Sequence, residues 1–309
     1  DWASFVEQML LKGRRPVAVH SHKLSYDARI GSVLSRYFGV PHIVTIRGHS
    51  DTHSRNLFPW AINRYSDILM GSAANLWLSA WAAPVIQAKV GYRMSEKDIL
   101  FPSCVPDGAA HGGVERTRET TGSRMRFVCV ARLTDLKQKG ILDLIEGLAD
   151  AVSLGSDVVL DMIGEASAES EMAIREATRA LGVSDRVNLL GKMPRSDVLA
   201  RLSTYDALVL TSVSETFGLV YLEALFSGCP FIYRAGSGVD GHYFAEEFGV
   251  RAESGAPQAV SAAIEVMCRE SGDIQARIRD ALLAGRLDYL TATGMRKRYA
   301  DIFEAVVKK

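Results

Sequence analysis

The chain has 309 residues, of which 48% are hydrophobic and 23% charged, with 26 Gly and 9 Pro. That length suits two α/β domains, and that composition excludes intrinsic disorder, a collagen-like repeat and a coiled-coil rod. Lys+Arg and Asp+Glu both number 36, so the net charge is zero and a chain-wide basic field for nucleic acid is missing.

The elements read as follows in chain order. Residue 1 is Asp, with no basic start followed by an apolar signal core, so it reads as a processed end or the start of a fragment. Residues 1–12 read as a helix. Val17 to His20 reads as a buried strand after the break at Arg15-Pro16, and Ala28 to Phe38 has helical spacing and stops at Gly39. His42 to Ile46 is the next strand. Ile68-Leu69-Met70 is expected to be another, followed by a helix from about Ala74 to near Gly91. Ile99 to Phe101 closes this half. Asp107 to Ser123 is rich in Gly, Thr and charge and reads as a linker or exposed loop.

The alternation restarts with a strand at Arg126 to Val130. Then come a helix at Ile141 to Leu154, a strand at Val158 to Ile163, a helix at Ser170 to Leu181 and a strand at Val187 to Leu190. A short helix at Asp197 to Leu202, a strand at Ala207 to Leu210, a helix at Gly218 to Phe226 and a last strand at Phe231 to Tyr233 follow. Met295 to Val307 is an amphipathic helix. Strand-helix alternation implies parallel sheets with crossover helices, and the second half has the length of a complete Rossmann-like domain. The four cysteines, Cys104, Cys129, Cys229 and Cys268, are far apart with no CxxC pair, which excludes a disulfide framework or zinc ribbon and suits a reducing compartment. No apolar run approaches the roughly 18–20 residues of a membrane span.

The strongest constellation is Ser214 to Ala224, SETFGLVYLEA. Glu215 falls in the turn after a strand and Glu223 inside the next helix. Gly218 lets backbone approach a ligand, and the amides of Gly218, Leu219 and Val220 at the helix start suit a phosphate. The carboxylates can accept hydrogen bonds from sugar or ribose hydroxyls. Upstream, the loop after the Arg126 strand carries Arg132 and Lys139, which could reach a pyrophosphate at the carboxyl end of the sheet. Gly191-Lys192-Met193-Pro194 is a loop whose backbone could read a base edge. Lys137 and Lys139 also fit plain surface lysines.

Together these residues resemble the retaining glycosyltransferases of the GT-B fold, family 4. Glu215 and Glu223 match the E-x7-E motif, and Arg132 with Lys139-Gly140 matches the phosphate-binding Arg/Lys pair. Ile163-Gly164-Glu165 resembles the family's glycine turn, and Val187 to Met193 the stretch that lines the base. The resemblance implies an α/β chain with two Rossmann-like domains whose parallel sheets face each other across a cleft. It places an acceptor-side domain at 1–112, a linker at 113–123, a donor-binding domain at 124–290 and a carboxy-terminal helix at 291–309. It implies transfer of a hexosyl group, with retained configuration, from a nucleotide-diphosphate sugar to a hydroxyl of a glycan or lipid-linked acceptor, as in polysaccharide biosynthesis. Glu223 would bind the ribose hydroxyls. Glu215 would sit by the sugar, and Arg132 and Lys139 on the diphosphate. No cofactor beyond the donor and no metal is expected: the sequence has no DxD, and Arg132, Lys139 and the Gly218 amides would stand in for an ion.

The first half matches less closely. Val19 to His22 resembles the family's VHxH strand end, and Pro41 to Asp51 its P-x-V-x-T-x-H-G strand and loop. Arg47 stands where the family often has His, with His49 two residues later. An Arg stays protonated and cannot act as a general base, though it can bind phosphate or a hydroxyl. His22 and His49 fit satisfied polar residues equally well. Pro102 to Val105 alters the family's PNGV. The resemblance implies that roughly 60–90 residues are absent at the front, leaving the amino-terminal domain incomplete and the chain better at binding nucleotide than at transferring sugar.

Trp77 and Trp81, four apart, read as one helical face, with Phe58 and Trp60 upstream. They fit a core stripe or a surface touching lipid. Residues 1–112 carry 12 Lys+Arg against 8 Asp+Glu and the remainder 24 against 28, which fits ordinary surface or a first half facing an anionic acceptor or membrane. The expected location is the cytoplasm, with peripheral contact at the inner face of the membrane as the finer expectation. Other readings are a non-catalytic sugar-nucleotide binding module, a sugar-nucleotide epimerase and a phosphorylase, the last weakened by the lack of a pyridoxal-phosphate lysine motif. A Rossmann dehydrogenase is disfavoured, because no GxGxxG follows a strand.

Overall fold

In a computed structural model, the described residues are 2–12, 14–52, 62–108 and 124–308, and they divide into two compact units. The first comprises residues up to Ser103 together with Met295–Lys309, and the second Cys104–Gly294. The linker expected at 113–123 lies outside the described residues, as do Phe58 and Trp60.

In the first unit a short helix α1 (Trp2–Phe5) widens into a π-turn at Val6–Leu10. There follow β1 (Val19–Ser21), α2 (Asp27–Phe38), β2 (His42–Ile46), α3 (His49–Thr52), α4 (Ile62–Gly71), β3 (Ala74–Trp77), α5 (Ala82–Val90) and β4 (Asp98–Leu100). The strands form one parallel sheet in the order β1-β2-β3-β4. Side chains alternate across it. Val44, Ile46 and Trp77 pack on one face with Tyr65, Leu69 and Ile86. Ile43, Ala74 and Leu76 pack on the other with Val306, Tyr299, Ile302 and Phe303 of the last helix.

Two expectations fail here. Ile68-Leu69-Met70 is the end of α4 rather than a strand; Leu69 is buried and Met70 exposed, a helical pattern that three apolar residues in a row conceal. The strand is Ala74–Trp77, so the helix expected from Ala74 begins only at Ala82. Trp77 and Trp81 therefore share no helical face. Trp77 ends β3, fully buried, with its indole N–H donating to Asp98 at 2.8 Å, and Trp81 precedes α5 and packs on the same core. The lipid-touching alternative for this pair is thereby removed.

The second unit holds β5 (Met125–Val130), α6 (Leu136–Lys139), α7 (Ile141–Ser153), β6 (Val158–Ile163), α8 (Ala168–Ala180), β7 (Val187–Gly191) and α9 (Arg195–Leu202). It continues with β8 (Ala207–Leu210), α10 (Leu219–Phe226), β9 (Phe231–Arg234), α11 (Tyr243–Phe248), β10 (Gly249–Ala252) and the long α12 (Pro257–Leu283). Phe231–Arg234 is thus not the last strand. Gly249–Ala252 adds an edge strand too short and too mixed to show a period. The last helix, α13 (Ala292–Val307), begins in this unit, and its residues from Met295 belong to the first.

The sheet is parallel throughout, in the order β10-β9-β8-β5-β6-β7. This is the doubly wound Rossmann order, and its direction of winding reverses between β5 and β8. The strands are apolar runs because helices cover both faces. No helix among the described residues is long and apolar enough to cross a membrane.

Candidate functional site

Where winding reverses, the loops leaving two adjacent strands turn to opposite faces and open a crevice at the carboxyl edge. In the second unit those are the segments after β5 and β8; Lys139 ends α6 in the first, and Glu215 lies in the second. Lys139 Nζ lies 2.6 Å from Glu215 Oε2, with both side chains about four-fifths removed from water (17% and 21% exposed). The loops are laced further: the Val213 amide donates to the Gln138 carbonyl at 2.9 Å, and Gln138 Nε2 to the Ser214 carbonyl at 3.4 Å. Glu215 is also held from the β9 side. Its amide donates to Ser237 Oγ, and its carbonyl accepts from the Gly238 amide, both at 3.0 Å.

Gly218 joins this loop to α10 in the left-handed region, at φ 80°, where a Cβ would meet the Tyr221 ring at 2.8 Å. It delivers Leu219 and Val220 as the opening turn of α10, whose amides lack acceptors one turn earlier in the helix. Beneath the loop, Tyr221 donates its hydroxyl to the Leu210 carbonyl at 2.6 Å, and burial pushes its pKa far up. Burial likewise pushes Cys129 up to about 12. Among the described residues, the buried hydroxyls of Thr211 and Ser212, at the end of β8, have no hydrogen-bond partner.

The loop after β6 turns at Gly164, where a Cβ would stand 1.7 Å from the Ala131 carbonyl oxygen; only glycine lets this turn lie against the loop after β5. The next residue, Glu165, accepts from Lys192 at 3.2 Å, tying the β6 loop to the β7 loop. Met193 is half-buried beside it. Glu223, nearly buried in α10, accepts from Arg195 Nε at 2.8 Å, and Arg195 Nη2 lies 2.7 Å from the same oxygen as an ion pair. Arg132 is not drawn in. It is mostly exposed and pairs with Asp135 at 3.5 Å.

The structure therefore brings together Lys139 with Glu215, and Gly218 with Leu219 and Val220. It leaves Arg132 at the rim and gives Glu223 and Lys192 partners that the sequence reading did not name, Arg195 and Glu165. Arg195 carried a signal: a cation in the first turn of a helix opposes the helix dipole and needs a reason. Among the described residues, no three His, Cys, Asp or Glu side chains group to hold a metal ion.

In the first unit, His20 lies between two hydroxyls. Its Nε2 is 2.8 Å from Thr45 Oγ1 and its Nδ1 2.8 Å from Tyr299 Oη. Burial, with His22 and His42 nearby, pulls its pKa down to about 4. His42, bonded to Ser21 Oγ at 2.8 Å, is pulled down by burial to about 4 as well. His22 is exposed, and its ring lies tilted against that of His20, with centroids 4.3 Å apart. Arg47 is exposed, and its amide donates at 2.8 Å to Asp51, a fully buried carboxylate that also accepts from the Leu24 and Ser25 amides. His49 opens α3.

The sequence profile of the glycosyl transferases group 1 matches residues 116–281. A 2-deoxystreptamine glucosyltransferase of Streptomyces kanamyceticus is 27% identical over 248 residues, which is 74% of this chain and 62% of that protein. A glycogen synthase of Mycobacterium tuberculosis is 25% identical over 224 residues, 71% of this chain and 52% of that one. The chain thus spans less than two-thirds of the length of the curated relatives it matches. Among solved structures, a glycosyltransferase from Rickettsia africae superposes with a TM-score of 0.75 at 17% identity, over 99% of this chain and 81% of that one. Anabaena HepE, solved in complex with UDP, gives 0.73 at 16% identity, over 98% and 82%. The chain belongs to the glycosyl transferases group 1, and its fold is GT-B.

Proposed function

We propose that this member of the group 1 glycosyl transferases moves a hexosyl group, with retained configuration and without a metal, from a nucleotide-diphosphate sugar to a hydroxyl of a glycan or lipid-linked acceptor. The observation that carries the reading is the Lys139–Glu215 pair at the crevice where winding reverses, beside the opening turn of α10. A cation, a carboxylate and a set of first-turn amides within one crevice suit a donor whose diphosphate is anionic and whose sugar presents hydroxyls. That HepE was solved with UDP supports a nucleoside diphosphate as the ligand class.

In this reading the bond between the anomeric carbon and the diphosphate oxygen breaks, and the acceptor oxygen bonds to the same face of that carbon. The acceptor's proton passes to the departing phosphate. Charge growing on the diphosphate is met by Lys139, by the amides of Gly218, Leu219 and Val220, and by Arg132 once it leaves Asp135. Glu215 accepts from the sugar hydroxyls and Glu223 from the ribose. Gly164 keeps the floor low enough for the diphosphate, and the Lys192-Met193 loop borders the base.

A thermal-shift panel with UDP, GDP, ADP and NAD on this chain and on Arg132→Ala tests the reading. A ligand at about 100 times its Kd adds about 2.7 kcal/mol of stability. Stabilisation by one nucleoside diphosphate, weakened in Arg132→Ala, is the expected result. A response to NAD alone overturns it.

A further inference from the structure

Arg195 and Glu223 are each awkward alone. Arg195 opens α9, where the helix dipole disfavours a cation. Glu223 stands in α10 between Leu222 and Ala224, both fully buried, where an ionised carboxylate needs a counter-charge. Their contact answers both demands, but unevenly. Nε of Arg195 donates to one oxygen, Oε1, at 2.8 Å, and Nη2 makes its ion-pair contact, at 2.7 Å, with that same oxygen. Among the described residues no donor reaches Oε2.

A partner serving only to neutralise Glu223 would do as well with one donor on each oxygen, the usual fork-to-fork geometry. Placing both contacts on Oε1 holds that oxygen and leaves the lone pairs of Oε2 for something else. A nearly buried acceptor left in that state is stabilised by a ligand that brings its own donors. Two adjacent hydroxyls, as on a ribose, are the donors of the proposed ligand.

We propose that Arg195 is a positioning residue that turns Glu223 Oε2 toward the 2′- and 3′-hydroxyls of the donor's ribose, so that the site selects ribonucleotides over deoxyribonucleotides. This rests on the donor-site reading above. Arg195 touches Glu223 and acts through it. Lysine in its place keeps the charge but cannot supply the Nε and Nη2 fork.

The test is calorimetric titration with whichever of UDP, GDP and ADP binds best, and with its 2′-deoxy and 3′-deoxy forms. The proteins are the unaltered chain, Arg195→Ala, Arg195→Lys, Glu223→Gln and the Arg195→Ala/Glu223→Gln double variant. Thermal unfolding runs alongside to register any structural effect separately. The unaltered chain is expected to prefer the ribonucleotide by at least about ten-fold, because a site built for a hydroxyl rejects an analogue lacking it. Arg195→Ala and Arg195→Lys are expected to bring that ratio to within about two-fold of unity, and the double variant to lose no more than Glu223→Gln, since the two residues act as one unit. Should Arg195→Ala fail to fold, Arg195→Lys carries the comparison. A folded Arg195 variant that keeps the full ribose preference overturns the proposal and leaves the donor site standing, as does an unaltered chain that binds the nucleotide with no ribose preference. Failure of the unaltered chain to bind any of the three overturns both.

Discussion

Lys139 Nζ lies 2.6 Å from Glu215 Oε2 across the crevice between the loops after β5 and β8. The side chain assigned to phosphate is therefore already bonded to the side chain assigned to sugar. In the proposed reading, a donor diphosphate would share the ammonium group with Glu215 or take it over, which Lys can do because its three donors rotate about a flexible stem. Moving either residue alters the other's charge environment, so in that reading the pair would couple the two ends of the donor.

Removing one partner should separate their roles. Lys139→Ala leaves a mostly buried carboxylate without its cation, and should cost about 2 kcal/mol of stability, less than a fully buried pair because both side chains retain some contact with water. Nucleoside diphosphate affinity should fall about ten-fold or more with it. Glu215→Gln, which keeps a hydrogen-bond acceptor, should leave nucleotide binding within about three-fold and lower only the use of the sugar donor. Titration with the nucleoside diphosphate, followed by single-turnover donor assays, distinguishes the two patterns.

Gly164→Ala tests the floor of the site. Its Cβ would arrive 1.7 Å from the Ala131 carbonyl oxygen, so the β5 and β6 loops must separate. We expect a loss of about 3 kcal/mol in urea unfolding, at the upper end for overpacking. Affinity for the nucleoside diphosphate should weaken too, because the displaced loop carries Arg132. Unchanged unfolding would show that the turn has room the structure does not show.

The first unit should respond to acid. His20 and His42 are held down to about 4 from an ordinary value of 6.5. Between those values the unfolded chain binds protons that the folded one does not, so stability falls as pH drops from about 6.5 towards 4. Above 6.5 these two groups add no pH dependence. Melting temperatures recorded from pH 7 to pH 4 should decline steeply, and His20→Gln should decline less. A flat profile across that window would contradict the burial assigned to both rings.

Asp161 offers a control in the second unit that should leave the site alone. In the middle of β6 it accepts from Tyr205 and Asn188, both at 2.8 Å, and from Arg126 at 3.4 Å. Asp161→Ala strands all three donors and should destabilise by about 3 kcal/mol. At temperatures where the variant stays folded, nucleotide affinity should match that of the unaltered chain.

Most of the second unit was legible in its sequence because its strands are largely apolar and some end at glycine, as Val158 to Ile163, apolar apart from Asp161, ends before Gly164. Local chemistry marks such boundaries. The first unit was less legible at Ile68 to Met70, where a helix end and a buried strand share the same three letters; only burial on both sides of Ala74 to Trp77 separates them. Gly249 to Ala252 was missed because pairing with β9, not its own residues, makes it a strand. At the site, the motif supplied Glu215, Glu223 and Lys139, and the spacing of one chain cannot reveal who pairs with whom. The Arg195–Glu223 contact joins α9 to α10 and the Glu165–Lys192 contact joins the loops after β6 and β7, so both exist only after the sheet has ordered its strands. Arg132 shows the converse. The motif singles it out, yet its geometry places it on Asp135.

The return of α13 to the first unit has a consequence for the order of events in synthesis. Tyr299, Ile302, Phe303 and Val306 cover Ile43, Ala74 and Leu76, and a ribosome adds them after every residue of the second unit. Until they emerge, one face of the β1–β4 sheet faces water or a chaperone, while every residue of the second unit has already been made. Domains usually complete themselves in the order of translation; here the unit begun first is completed only after the second. Release of a nascent chain stalled before Met295 should therefore yield a protease-resistant second unit joined to a protease-sensitive first one.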